Sequence, residues 1–109
     1  ADVKAMAIMS MLFIDDDEKP SLKDRIQAKL KKADVLLCGA NGMGFFHIEK
    51  GVWVNGHYTR PNHEPGGICI ISQSGSGVAG IIDCEERINL NLSVSSGSEL
   101  TVGAEDYLD

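Results

Sequence analysis

The chain has 109 residues, of which 43% are hydrophobic and 24% charged, and its net charge is -6. This apolar fraction is too high for a disordered chain, so a packed core is expected. The acidic balance argues against a nucleic-acid-binding protein, because a phosphate backbone is bound by clustered Lys and Arg. No apolar run approaches the roughly 20 residues of a membrane span, so no membrane association is expected.

The first part of the chain predicts a strand, a helix and a second strand. Residues 3–14 form an apolar run with β-branched residues, which predicts a buried strand. A helix is predicted to begin after the N-cap Ser21, because apolar residues recur at helical spacing over 22–30. Residues 35–38 predict a short buried strand that is closed by a turn at 39–44. The order strand, helix, strand indicates a parallel sheet.

The second part of the chain repeats this order. Residues 52–59 predict a hairpin that turns at Asn55 and Gly56, and residues 61–66 read as a loop. The near-continuous apolar run at 68–71 is typical of a strand buried on both faces. The remaining predicted elements are a helix with one apolar face at 78–88, a strand at 90–94 and the beginning of a helix at 104–109. The predicted fold class is therefore α/β.

The Ser/Gly loop that follows residues 68–71 is the segment that points most directly to chemistry. The first N–H groups of a helix have no backbone partner, and the helix dipole places partial positive charge there. Gly75 and Gly77 would let the backbone approach an anion, and the hydroxyls of Ser74 and Ser76 could donate further hydrogen bonds. The residues alone are equally compatible with a phosphate site and with a capped turn that binds nothing.

A dinucleotide site is the rival interpretation of the same loop. Gly75, Gly77 and Gly80 match the fingerprint G-x-G-x-x-G, and Glu99 follows about 20 residues later, where an acidic residue would meet a ribose. This interpretation implies a non-catalytic dinucleotide- or CoA-binding module. Residues 72–74 weaken it, because the fingerprint glycines normally follow the strand almost at once.

The cysteines and histidines predict neither a disulfide framework nor a metal site, because they are widely spaced and form no C-x-x-C or ligand cluster. Reduced, buried cysteines are typical of a cytoplasmic protein, which is the expected location. The cysteines are Cys38, Cys69 and Cys84, and the histidines are His47, His57 and His63.

Two motifs together resemble a known family. Residues 67–77, GICIISQSGSG, are similar to the strand–loop–helix "G-x-[hydrophobic]-S-Q-S-G" of ADP-forming acetyl-CoA synthetases and of the succinyl-CoA synthetase alpha subunit. Residues 39–44, GANGMG, resemble the loop "G-P-N-C-x-G" of the same family. The resemblance covers nearly the whole chain in the right order. The chain therefore looks like a fragment of an acyl-CoA synthetase of the nucleoside-diphosphate-forming (NDP-forming) type.

The resemblance implies two domains and a set of ligands. Residues 1–48 would be the end of a Rossmann-like CoA-binding domain, and residues 49–109 the start of a flavodoxin-like CoA-ligase domain. In this family, nucleotide and acid are exchanged through acyl phosphate and a phosphorylated histidine. Coenzyme A and ATP or ADP would be bound mainly by parts outside this chain. The expected partners are an acyl substrate and the remaining domains or subunits of an oligomeric synthetase.

The resemblance also implies roles for residues of both loops. Ser74, Gly75, Ser76 and Gly77 would cradle the phosphate, while Gly39, Asn41 and Gly42 would form an active-site loop. Ala40 and Gly42 depart from the proline and cysteine that the family has at these positions. None of the three histidines matches the position of the family's phosphorylated histidine, so no catalytic residue is assigned to this chain.

Overall fold

The computed structural model describes residues 2–56, 64–83 and 87–108, and it contains two β-sheets with one helix packed on each. The chain begins with β1 (Ala5–Ile8), α1 (Leu22–Ala33) and β2 (Leu36–Gly39), followed by β3 (Gly44–His47) and β4 (Val52–Asn55). It continues with β5 (Ile68–Ser72), α2 (Gly75–Ile82), β6 (Leu90–Ser95) and a 3₁₀ helix (Ala104–Tyr107). The α/β fold class is confirmed.

The first sheet is the parallel pair of β1 and β2, as the order strand, helix, strand predicted. The Ser21 side chain caps α1 by accepting a hydrogen bond from the Asp24 N–H at 3.2 Å. Leu30 on α1 packs against Leu37 on β2 in a small core that also contains Ala40 and Leu100.

The predicted strand at 3–14 is wrong in its length and its burial. Only Ala5–Ile8 pair with β2, which ends at Gly39, and beyond that point the chain has no partner in this ladder. Residues 9–14 therefore leave the sheet, and Phe13 in this segment is 72% exposed.

The second sheet has the order β4-β3-β6-β5 and is mixed. The strands β5 and β6 are parallel, which confirms the second predicted strand–helix–strand unit. The strand β3, which the sequence did not predict, pairs antiparallel with both β4 and β6. The predicted turn at Asn55 and Gly56 leads into residues 57–63, which lie outside the described residues.

A core of large apolar side chains joins α2 to this sheet. Phe46 on β3, Val78 and Ile82 on α2, and Leu90 on β6 form a buried cluster. Trp53 stacks on Phe46 with a ring-centroid distance of 4.9 Å.

The predicted burial of residues 68–71 on both faces is wrong. The strand β5 lies at the edge of its sheet, and Ile68 is 43% exposed. The helix α2 covers one face of the sheet only, which explains the difference. This helix ends at Ile82, earlier than predicted, although Ile88 still packs against the same core.

The predicted domain boundary between residues 48 and 49 stays a prediction. β3 precedes this position, and its hydrogen bonds run to β4 and β6, which follow it. Within 2–56, 64–83 and 87–108, no helix has the length and apolar character needed to cross a membrane.

Candidate functional site

The two loops singled out in the sequence meet at one cleft. The cleft has a volume of about 360 Å³ and lies where the β2–β3 loop faces the loop between β5 and α2. Its lining residues are Met9, Asn41, Gly42, Met43, Gln73, Ser74, Gly75 and Ser76.

The β2–β3 loop is held by hydrogen bonds to the segment that follows β1 and to the end of β6. The Asn41 N–H donates to the carbonyl of Ser10 at 2.9 Å, and the Met43 N–H donates to Ser95 Oγ at 2.9 Å. Asn41 has a φ of 54°, a left-handed conformation that Asn adopts more readily than most residues. A Cβ at Gly42 would overlap the carbonyl oxygen of Ser95. Glycine in place of the family's cysteine is therefore required by the close approach of this loop to β6.

The loop between β5 and α2 is organised by its serines. Ser72 Oγ accepts a hydrogen bond from the Ser74 N–H at 3.1 Å, and Ser74 Oγ accepts one from the Gly77 N–H at 3.2 Å. The N–H groups of Gly75 and Ser76, the first two of α2, find no acceptor among the described residues. This part of the helix therefore presents two unsatisfied donors, as the position at a helix N-terminus predicts.

The two loops are in direct contact. A Cβ on Gly75 would overlap the Met43 side chain, so only glycine at position 75 allows α2 to begin this close to the β2–β3 loop.

A turn after β6, residues 95–98, connects the two loops, a role that was not predicted from the sequence. The Ser96 N–H donates to the carbonyl of Ser72 at 2.9 Å, and the Ser98 N–H donates to the carbonyl of Ala40 at 2.7 Å. Gly97 has a φ of 65°, and a Cβ there would overlap the carbonyl oxygen of Ala40. The turn thus fixes the position of one loop relative to the other.

Glu99 extends this connection through its side chain. One carboxylate oxygen accepts a hydrogen bond from Ser96 Oγ at 2.7 Å, and the other accepts one from Gln73 Nε2 at 2.8 Å. The hydrogen bond from Ser96, followed by that from Gln73, lowers the pKa of Glu99 below its ordinary value of 4.5.

The same contacts weigh against the dinucleotide interpretation. Both oxygens of Glu99, the residue that would have to receive a ribose, already accept hydrogen bonds from the protein. The third glycine of the fingerprint normally allows close packing of helix on strand. Gly80, however, is exposed, and a Cβ there would have no atom within 4 Å.

Five of the seven residues predicted for the site line the cleft, namely Asn41, Gly42, Ser74, Gly75 and Ser76. The other two, Gly77 and Gly39, do not. The Gly77 N–H is used by the helix cap, so it is not one of the free donors that the sequence indicated. A Cβ at Gly39 would overlap the carbonyl oxygen of Ile8, so this glycine serves the close pairing of β1 and β2.

Among the described residues, no histidine lines the cleft. His47 lies on β3, where its Nδ1 accepts a hydrogen bond from the Lys50 N–H at 3.2 Å in the turn before β4. His57 and His63 lie outside the described residues. In the described ranges, no group of three His, Cys, Asp or Glu could hold a metal ion.

The cleft can hold an anion by neutral donors. Among the described residues, no Lys or Arg lines it, and the described donors are the N–H groups of Gly75 and Ser76, the hydroxyls of Ser74 and Ser76 and the amide of Asn41. Such a set of dipoles at a helix N-terminus suits a phosphoryl oxygen.

The fold has clear relatives among solved structures. PH0766 from Pyrococcus horikoshii OT3 has a TM-score of 0.81 and 19% identity over 98% of this chain and 25% of its own. The dinucleotide forming acetyl-coenzyme A synthetase 1 of Ca. Korarchaeum cryptofilum, in complex with phosphate and ADP, has a TM-score of 0.80 and 20% identity over 99% of this chain and 23% of its own. The apo form of that enzyme has a TM-score of 0.79.

These likenesses confirm, at the level of the fold, the resemblance drawn from the two motifs. The chain has the fold of a segment of an acetyl-coenzyme A synthetase, and it spans about a quarter of the length of the solved structures that it matches. No protein-family model and no curated protein matches the chain.

Proposed function

We propose that this chain is part of an NDP-forming acyl-CoA synthetase, in which it contributes a phosphate-binding cleft. Such an enzyme makes acyl-CoA from an acid, coenzyme A and a nucleoside triphosphate through acyl phosphate and phosphohistidine. The observation that carries the proposal is the meeting of the two family-like motifs, far apart in sequence, at one cleft. The complex of a structural relative with phosphate and ADP supports it.

The chemistry of the cleft fits a phosphoryl group. Its 360 Å³ can admit one. The N–H groups of Gly75 and Ser76, which have no acceptor among the described residues, are donors that suit an anion where no described Lys or Arg lines the cleft. Asn41 and Gly42 on the facing loop would border the acyl end of the site. Coenzyme A would be held mainly by parts of the synthetase beyond residues 1–109, with 1–48 and 49–109 as pieces of its CoA-binding and ligase domains.

We expect inorganic phosphate to shift the backbone amide resonances of Gly75 and Ser76, and Ser74→Ala to weaken this binding. The substitution removes a hydroxyl that borders the cleft and also the cap on the Gly77 N–H, which should cost about 1 kcal/mol of stability. Amide shifts followed during a phosphate titration measure both the location of the phosphate site and its affinity.

Ser21→Ala is the matched control, because Ser21 caps α1 with the same geometry at 3.2 Å and does not line the cleft. It should cause a similar loss of stability, about 1 kcal/mol, with unchanged phosphate affinity. Shifts that scatter over the surface, or that leave residues 74–77 unmoved, would show that the cleft is not the phosphate site.

We also expect the chain alone to form no phosphohistidine. Nucleophilic catalysis requires a histidine positioned at the reacting phosphate, and His47 does not border the cleft. Incubation with labelled ATP, coenzyme A and an acid should leave no acid-labile label on the protein. Label on His47 would move the active site away from the cleft, and label on any of the three histidines would contradict the expectation that this chain carries no catalytic histidine.

A further inference from the structure

Glu99 occupies a strained position where the two cleft loops are joined. Its φ of 50° is left-handed, which is unfavourable for a residue with a long side chain. Such a conformation persists only where the surrounding contacts impose it, and it is a reason to look for a role. Ser96, one of its two hydrogen-bond donors, is fully buried, and the Ser96 N–H is bound to Ser72 at the end of β5.

The carboxylate of Glu99 fixes the orientation of the Gln73 side chain. A carboxylate can only accept hydrogen bonds, so the NH₂ end of the Gln73 amide has to face Glu99. Gln73 lines the cleft and stands directly before Ser74, the N-cap of α2. The contact therefore restrains both a wall of the cleft and the approach to the free N–H groups.

The same carboxylate should oppose the binding of an anion through its charge, since no Lys or Arg among the described lining residues offsets it. Positioning and charge thus predict opposite effects when the charge is removed. A carboxylate that only repels would lower affinity, whereas one that holds Gln73 and the loop in place would raise it.

We propose that Glu99 is a positioning residue of the cleft, which acts by holding Gln73 and thereby residues 72–76 in the arrangement that binds an anion. The effect on binding rests on the proposed function, while the restraint on Gln73 can be observed without any ligand.

The first experiment is a phosphate titration of the full chain and of Glu99→Gln, Gln73→Ala and the double variant. Glu99→Gln removes the charge but keeps the size of the side chain, and we expect phosphate to bind about three- to tenfold more weakly, as for the loss of one hydrogen-bonded contact. If Glu99 acts through Gln73, the double variant should bind no more weakly than Gln73→Ala. Unchanged or tighter binding by Glu99→Gln would overturn the proposal, since the carboxylate would then act as a repelling charge.

The second experiment follows the side-chain amide resonances of Gln73 as the pH is lowered. Because the pKa of Glu99 is lowered, its titration midpoint should lie below 4.5, and the Gln73 resonances should move in that acidic range. Asp106 on the 3₁₀ helix opposes this depression, so Asp106→Asn should move the midpoint lower without abolishing the titration. In Glu99→Gln the titration should vanish.

These two experiments test the positioning role of Glu99 separately from phosphate binding at the cleft. If the Gln73 side-chain resonances change neither with pH nor in Glu99→Gln, the positioning role is overturned, whether or not phosphate binds. A wild-type chain that binds no phosphate, but whose Gln73 titrates with Glu99, would overturn the proposed function and leave the restraint on Gln73 in place.

Discussion

Gly97→Ala is expected to destabilise the chain by about 2–5 kcal/mol and to abolish phosphate binding at the cleft. A left-handed conformation costs a residue with a Cβ about 1–2 kcal/mol, and a side chain forced into a filled space costs about 1–3 kcal/mol more. Both costs apply at Gly97, where φ is 65° and a Cβ would overlap the carbonyl oxygen of Ala40 and the nitrogen of Gly42. The β2–β3 loop would have to move away from β6, and the two loops that form the cleft would separate.

Gly51→Ala separates the backbone cost from the packing cost. Gly51 has a φ of 63°, close to that of Gly97, but a Cβ there would meet no atom within 4 Å. Its replacement by Ala should lower the free energy of unfolding by about 1–2 kcal/mol, from the backbone conformation alone, and should leave phosphate affinity unchanged. Urea unfolding of both variants measures the difference. Equal losses of stability would mean that the turn after β6 does not hold the loops together.

Elements with strong local signals were predicted correctly from the sequence. The helix α1 combines a capping serine, Ser21, with apolar residues at helical spacing, and both signals act within a few residues. The same is true of the serine-rich loop, in which Ser74 caps α2. The parallel pairings followed because a helix between two strands leaves few other connections.

The predictions that failed concern features that depend on partners distant in sequence. The strand β3 is only four residues long, and its hydrogen bonds to β6 join Phe45 to a segment about fifty residues later. Burial of β5 was overestimated because an apolar run does not reveal whether a strand lies inside a sheet or at its edge. Ile68 shows this most clearly, since it is apolar and 43% exposed.

Five of the eight described residues that line the cleft were predicted as site residues. The two loops carry motifs, so Asn41 and Ser74 were found from the sequence alone. Glu99 acts on the cleft through its contact with Gln73, and Gly97 through the close approach of its turn to Ala40. Neither contact can be predicted from the spacing of residues along the chain. Gly42, a departure from the family's loop, became interpretable only when its closeness to Ser95 was known.

The solvent-accessible surface of the chain is larger than that of a compact protein of its size. It measures 7178 Å², whereas a folded monomer of 11.7 kDa should expose about 5,900 Å². The radius of gyration, 14.9 Å, also exceeds the roughly 13 Å of a compact domain of this length. The excess surface of about 1,300 Å² is larger than the roughly 800 Å² that one partner buries in a standard protein–protein interface.

Part of the exposed apolar surface lies on the side of the sheets opposite the helices. Two adjoining cavities of about 480 and 280 Å³ share Phe45 and Tyr107 as lining residues. Leu36 borders the larger cavity and is 57% exposed, and Val52 borders the smaller one. We call this surface, between Leu36 and Val52, the apolar face.

The isolated chain is therefore expected to self-associate through the apolar face and to unfold at a temperature that rises with protein concentration. Each large apolar side chain left in water forgoes about 1.5–3 kcal/mol of burial, against a net stability of about 5–15 kcal/mol for a domain. Leu36→Gln combined with Val52→Gln should shift the sedimenting species towards monomer. Met11→Gln combined with Phe13→Gln, which removes exposed apolar residues from the loop after β1, should not.

A sharp unfolding transition of a monomer, at a temperature independent of protein concentration, would contradict this expectation. It would also mean that the 109 residues form one self-sufficient domain, because two partial domains would lack the cover that their sheets require.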